Sequence, residues 1–138
     1  MSEKNEENGN APNELPVSPE AIASALHFAL LKEAQGDYDI AASAFKALLL
    51  MDPSNPYFHA MLGSIYQRKG DTDGAVREYS AAIKIFPSDI DSLTNLGEIF
   101  LKTGRREEAI QHLKQAVESD TEGNHPSVNR ARLLLTGI

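Results

Sequence analysis

Apolar positions along this chain recur at a fixed interval. Phe45, Tyr79 and Leu113 stand 34 residues apart, as do the small residues Ala29, Gly63 and Gly97 and the set Ala41, Ala75 and Ala109. Gly36, Gly70 and Gly104 punctuate the chain at the same interval. A period of this length marks one supersecondary unit repeated along the chain. The pattern predicts an all-α array of three helix-turn-helix units over about 22–55, 56–89 and 90–123, each pair burying its apolar face against the next.

Local signals place the helix ends. Ser18-Pro19-Glu20 combines a side-chain cap, a proline in the first turn and an acid at the positive end of the helix dipole. The first helix then runs to Ala34 and the second from Tyr38 to Met51, with Gly36 in the turn where a left-handed residue ends a helix. Asp52-Pro53 closes the unit, because proline cannot continue a helix. Asn55-Pro56 and Ser88-Asp89 cap the following starts, and Glu122-Gly123-Asn124 breaks the third unit where Thr121 replaces the closing proline. Small residues at 29, 63 and 97 allow close helix approach, and Phe28, Phe45, Tyr66, Tyr79 and Phe100 fill the space beside them. An array needs a terminal cap. Residues 126–136 offer one, with Val128, Ala131, Leu134 and Leu135 on one helical face. Seven helices and no strands are expected.

Composition narrows the function. The 138 residues suit one domain, and no apolar run approaches the roughly 18 residues that a spanning helix needs. The opening MSEKNEENGN has no apolar core of a secretory signal. With no cysteine, disulfides and thiolate metal sites are excluded, and a cytoplasmic location is the expectation. The net charge of −7 disfavours nucleic acid as a partner. Much of that charge lies at the start, where five glutamates face Lys4 alone within residues 1–20. Residues 1–17 hold too few apolar side chains to offset ordering and read as a disordered acidic segment.

Nothing in the sequence gathers the groups of an active site. His27, His59, His112 and His125 fall on different helices, with no His-x-x-x-His pair. No GxSxG, GxxxxGK[ST] or GxGxxG motif occurs. Glu107-Glu108 opens a helix, where acids favour the dipole. The expectation is a non-enzyme with no metal or cofactor.

Leu62-Gly63, Tyr66, Ala75, Tyr79, Ala82 and Pro87 follow the pattern of the tetratricopeptide repeat (TPR), with His59 where that family often has Trp. The resemblance implies a superhelix whose first helix of each pair lines a concave groove. Carried onto this sequence, the groove positions are Ala23, Leu26, His27, Leu30, Glu33 and Ala34 in the first unit. In the second they are Tyr57, Ala60, Met61, Ser64, Gln67 and Arg68. The third contributes Asp91, Thr94, Asn95, Glu98, Leu101 and Lys102. TPR proteins that clamp an acidic C-terminal tail use Lys, Arg and Asn here, whereas this chain has Leu26, Leu30 and Asp91. An extended peptide with apolar anchors fits better. Leu26, Leu30, Tyr57 and Met61 would make pockets, and Arg68, Asn95 and Lys102 would bond its backbone or polar side chains.

Over residues 22–136 the chain also resembles the type III secretion chaperones that hold translocator proteins, in size class, three-unit array and C-terminal cap. That family keeps secretion substrates soluble by gripping an extended segment, and it often self-associates, so a homo-oligomer is a further expectation. The alternative is a constitutive scaffold or assembly adaptor that holds a folded partner through its outer face.

Overall fold

The computed structural model describes residues 17–138. The expected disordered segment at 1–17 lies outside these residues, apart from Val17. Seven helices follow in order: α1 (Pro19–Ala34), α2 (Tyr38–Met51), α3 (Pro56–Arg68), α4 (Thr72–Ile85), α5 (Ile90–Lys102), α6 (Arg106–Ser119) and α7 (Pro126–Thr136). No strand occurs among the described residues.

Capping chemistry sets the starts. Ser18 Oγ accepts the Ala21 N–H at 3.1 Å ahead of Pro19. Asn55 Oδ1 accepts the N–H groups of Tyr57 and Phe58 ahead of Pro56. Asp71 and Asp89 cap α4 and α5 through Gly74 N–H and Ser92 N–H. Each of these bonds satisfies a donor that the first turn leaves without an intrahelical partner. Within each unit the first helix ends the same way. Gly36, Gly70 and Gly104 have φ of 79°, 80° and 81°, and the next residue's N–H returns to a carbonyl five residues back, as from Asp71 to Tyr66 at 2.8 Å. Only glycine adopts that backbone without steric cost.

The pairs close through small-to-large contacts. A Cβ at Gly63 would lie 2.9 Å from the Tyr79 ring, and one at Gly97 would lie 2.5 Å from Leu113. The same offset in the first unit separates Ala29 from Phe45, both fully buried in the main core cluster. The main core runs through Phe45, Leu48, Phe58, Leu62, Ile65 and Tyr66 to Leu96, Ile99 and Phe100. A second cluster of Leu93, Leu113, Ala116 and Ala131 holds α7. Val128 and Ala131 are fully buried, and Leu134 and Leu135 are partly so, which makes α7 the cap of the array.

One expected core residue is outside. Phe28 is 46 % exposed, because α1 is the first helix described and only its Ala29 side is covered by a following pair. Phe58, which sequence periodicity did not single out, is buried instead, its ring 6.3 Å from that of Phe45.

Candidate functional site

The odd-numbered helices form one face, and side chains about 35 residues apart bridge them. Arg68 of α3 pairs with Glu33 of α1, and its guanidinium lies 5.8 Å from the Tyr38 ring centre. Between α5 and α7, Ser127 donates to Asp91, and Arg130 donates to Asn95 Oδ1 at 2.5 Å while lying 3.8 Å from Glu98. Thr94 sits among these bridged positions of α5. It is fully buried, and its Oγ1 has no hydrogen-bond partner among the described residues. The expectation that Thr94 faces an open groove is therefore corrected: α7 occupies that side of α5.

Between α3 and α5 the face stays open, as a cavity of about 460 Å³. Tyr57, Ala60, Met61 and Ser64 form the α3 wall, and Asp91, Ser92 and Asn95 the α5 wall. Phe86 and Asp89, from the turn between α4 and α5, stand at one end, and the Tyr79 side chain reaches in from α4. Tyr57 is 46 % and Phe86 50 % exposed, so two aromatic rings border a largely apolar recess.

The Tyr79 phenol links the two walls. Its hydroxyl donates to Gln67 Oε1 at 2.8 Å and accepts from Asn95 Nδ2 at 3.2 Å. Burial is the main cause that pushes its pKa up to about 12, with Ser64, Arg130 and Asn95 pulling weakly the other way. Tyr79 thus has a second role beside packing on Gly63: it fixes the spacing of α3 and α5.

Of the residues expected to bind a partner, Tyr57, Met61 and Asn95 come together in this cavity. Leu26 and Leu30 do not line it; both are half-buried and pack on the main core from α1. Arg68 is held by Glu33, and Lys102 lies 3.7 Å from Glu98. Both of the Asn95 amide groups are already engaged. Sequence reasoning missed Phe86, Asp89, Ser92 and the Tyr79 hydroxyl. Phe86 had a readable signal, since the positions 34 residues before and after it are Asp52 and Asp120.

The histidines are spread as expected, and three have local structural partners. His59 Nδ1 lies 2.9 Å from Glu78 Oε1, tying α3 to α4. His112 meets the Glu108 carbonyl and the edge of Phe100. His125 accepts the Ser127 N–H at the start of α7. Among the described residues, no group of three or more His, Asp or Glu side chains is placed to hold a metal ion. No helix among them is long and apolar enough to cross a membrane.

Comparison with known proteins agrees with this architecture. Two family models described as tetratricopeptide repeat match residues 26–90 and 66–133, and so together span 26–133. No curated protein matches the sequence. Among solved structures, the chain is similar to the type III secretion translocator chaperone SycD of Yersinia enterocolitica. The identity is 25 %, with 88 % of this chain and 92 % of that one covered and a TM-score of 0.78. PcrH, in complex with the chaperone binding region of PopD, gives 19 % identity, 88 % and 92 % coverage and a TM-score of 0.80. The Sgt2 TPR domain from Aspergillus fumigatus gives 17 %, 88 %, 80 % and 0.74. At those lower identities the likeness is one of fold. The 34-residue period, the left-handed glycines at 36, 70 and 104 and the two matching family models agree: the chain belongs to the tetratricopeptide-repeat family.

Proposed function

We propose that this protein binds an extended segment of a partner protein along the face formed by α1, α3, α5 and α7, in the manner of a type III secretion chaperone. One observation carries the reading: the open cavity between α3 and α5 is walled by Tyr57, Met61 and Asn95, residues that the repeat pattern leaves free to vary. Repeat landmarks are used up in stacking, so a recess built from the remaining positions is available for a ligand. SycD bound to a peptide of the translocator YopD, at 23 % identity and a TM-score of 0.77, supplies a fold-level parallel. On this reading Leu26 and Leu30 extend the apolar surface towards the first unit, and Arg68 and Lys102 would leave Glu33 and Glu98 to bond the segment's polar groups. On this reading the protein works in the cytoplasm, has no catalytic step and needs no cofactor.

The test uses the protein as bait in its native lysate, with captured proteins identified by mass spectrometry. Met61→Asp places a charge in the cavity, Leu30→Asp tests the first-unit extension, and Lys84→Ala on the exposed side of α4 is the control. The expected result is a captured protein that is insoluble when expressed alone, is lost with Met61→Asp and is retained with Lys84→Ala. Retention by a folded Met61→Asp variant overturns the proposal.

A further inference from the structure

The turn that enters α5 departs from its two counterparts. All three turns share a backbone hydrogen bond between residues three apart: Asn55 N–H to Asp52 O, Asp89 N–H to Phe86 O and Gly123 N–H to Asp120 O. In the first, Asp52 Oδ2 accepts from Asn55 Nδ2 at 3.0 Å. In the third, Asp120 accepts the N–H groups of Gly123 and His125. The middle turn keeps the backbone geometry but replaces that carboxylate with Phe86, half exposed and lining the cavity. A large apolar side chain where a local hydrogen-bonding residue would stabilise the turn is the kind of rule-breaking expected at a functional position.

Beside Phe86 stand two carboxylates. Asp89 and Asp91 line the same cavity, and no Lys or Arg among the described residues pairs with either. Their hydrogen bonds, from Ser92 N–H and Oγ to Asp89 and from Ser127 Oγ to Asp91, come from neutral donors and leave acceptor capacity on each carboxylate. The N-terminus of α5 offsets part of this charge, about half a unit against two. The other two acidic residues at groove positions are neutralised: Glu33 by Arg68, and Glu98 by Lys102 and Arg130. Negative charge without a cationic partner is therefore concentrated on the same apolar recess that the Tyr57 and Phe86 side chains line.

Resting on the groove reading above, we propose that the bound segment carries a Lys or Arg next to an aliphatic residue. The aliphatic side chain fills the cavity against Met61 and Ala60, and the cation meets Asp89 and Asp91 with its stem against Phe86. A basic side chain suits this place because its methylenes pack on aromatic surface while its head stays with the carboxylates.

The probe is a library of random twelve-residue peptides displayed on phage and selected on the full-length protein. Selection is repeated on Asp89→Asn/Asp91→Asn, where Asn preserves the cap of α5, and on Met61→Asp. The expected outcome is enrichment of a basic residue adjacent to an aliphatic one on wild type, lost from the double Asn variant. Replacing that basic residue by Met in a synthetic peptide should weaken binding about tenfold in fluorescence anisotropy, with the difference shrinking at high salt. Enriched peptides without a basic preference, still lost on Met61→Asp, overturn this inference and leave the groove reading standing. Peptides that bind Met61→Asp as well as wild type overturn both, as does selection of no peptide.

Discussion

Tyr79→Phe removes one oxygen and leaves the ring against Gly63. The lost hydroxyl donates to Gln67 and accepts from Asn95. Two neutral hydrogen bonds contribute about 0.5–1.5 kcal/mol each, and both partners keep some solvent access, so a total near the lower half, about 1–2 kcal/mol, is expected at neutral pH. For a domain of about 120 residues this corresponds to a fall of roughly 4–8 °C in Tm. The pH dependence separates the hydroxyl from a mere packing change. The phenol titrates at about 12 in the fold against a reference of 10.0, so the folded state favours its neutral form. That contribution is complete below pH 10 and is lost as pH rises from about 10 towards 12. By pH 11 about half the full effect is gone, on the order of 1 kcal/mol. Phenylalanine has no proton to lose. The stability gap between wild type and variant should therefore nearly close by pH 11, while lysine and the other tyrosines titrate equally in both. Urea unfolding followed by far-UV circular dichroism between pH 7 and 11 measures it. A gap that stays constant across that range would refute the placement of the hydroxyl in a buried network.

Three further perturbations address the scaffold. Gly97→Ala forces Leu113 aside and should cost about 1–3 kcal/mol, part of which Leu113→Ala recovers in a double-mutant cycle. Gly70→Ala meets no atom within 4 Å, so its cost of roughly 1–2 kcal/mol comes from the left-handed backbone alone and should be independent of any neighbour. Val128→Asp buries a charge beneath α7 and should lower stability by about 3 kcal/mol or more, with α7 and the facing side of α5 gaining the most amide exchange; an unchanged exchange pattern there would show that α7 is not held by this contact.

The fold was readable because its determinants are local and repeated. Gly36, Gly70 and Gly104 each need a left-handed backbone that few other residues tolerate, and Asn55-Pro56 sets a helix start by chemistry within four residues. Phe28 was misread because α1 follows the same pattern as the internal helices but, among the described residues, has no helix before it to cover that side. The polar groove residues were harder. Arg68, Asn95 and Lys102 look like free hydrogen-bonding groups in a linear reading, yet all three have partners within the chain. For two of them the partner lies 35 residues away, one step beyond the repeat period, so the interval that reveals the stacking also names the pairs.

That interval also explains why the cavity lies between α3 and α5. Polar straps cross from α1 to α3 and from α5 to α7, and on α5 they start from Asp91 and Asn95. The equivalent positions on α3, 34 residues earlier, are Tyr57 and Met61, which offer no carboxylate or amide to a neighbouring helix. At the other end of the helix, Glu33 has Gln67 as its counterpart and Arg68 has Lys102; Gln67 bonds the Tyr79 hydroxyl and Lys102 turns to Glu98 on its own helix. The middle gap therefore forms neither kind of strap. It is held at depth by Tyr79 and left open above, with apolar side chains where its neighbours have polar ties. The substitutions that make Tyr57 and Met61 useless for bridging helices are the same ones that leave them exposed to a ligand.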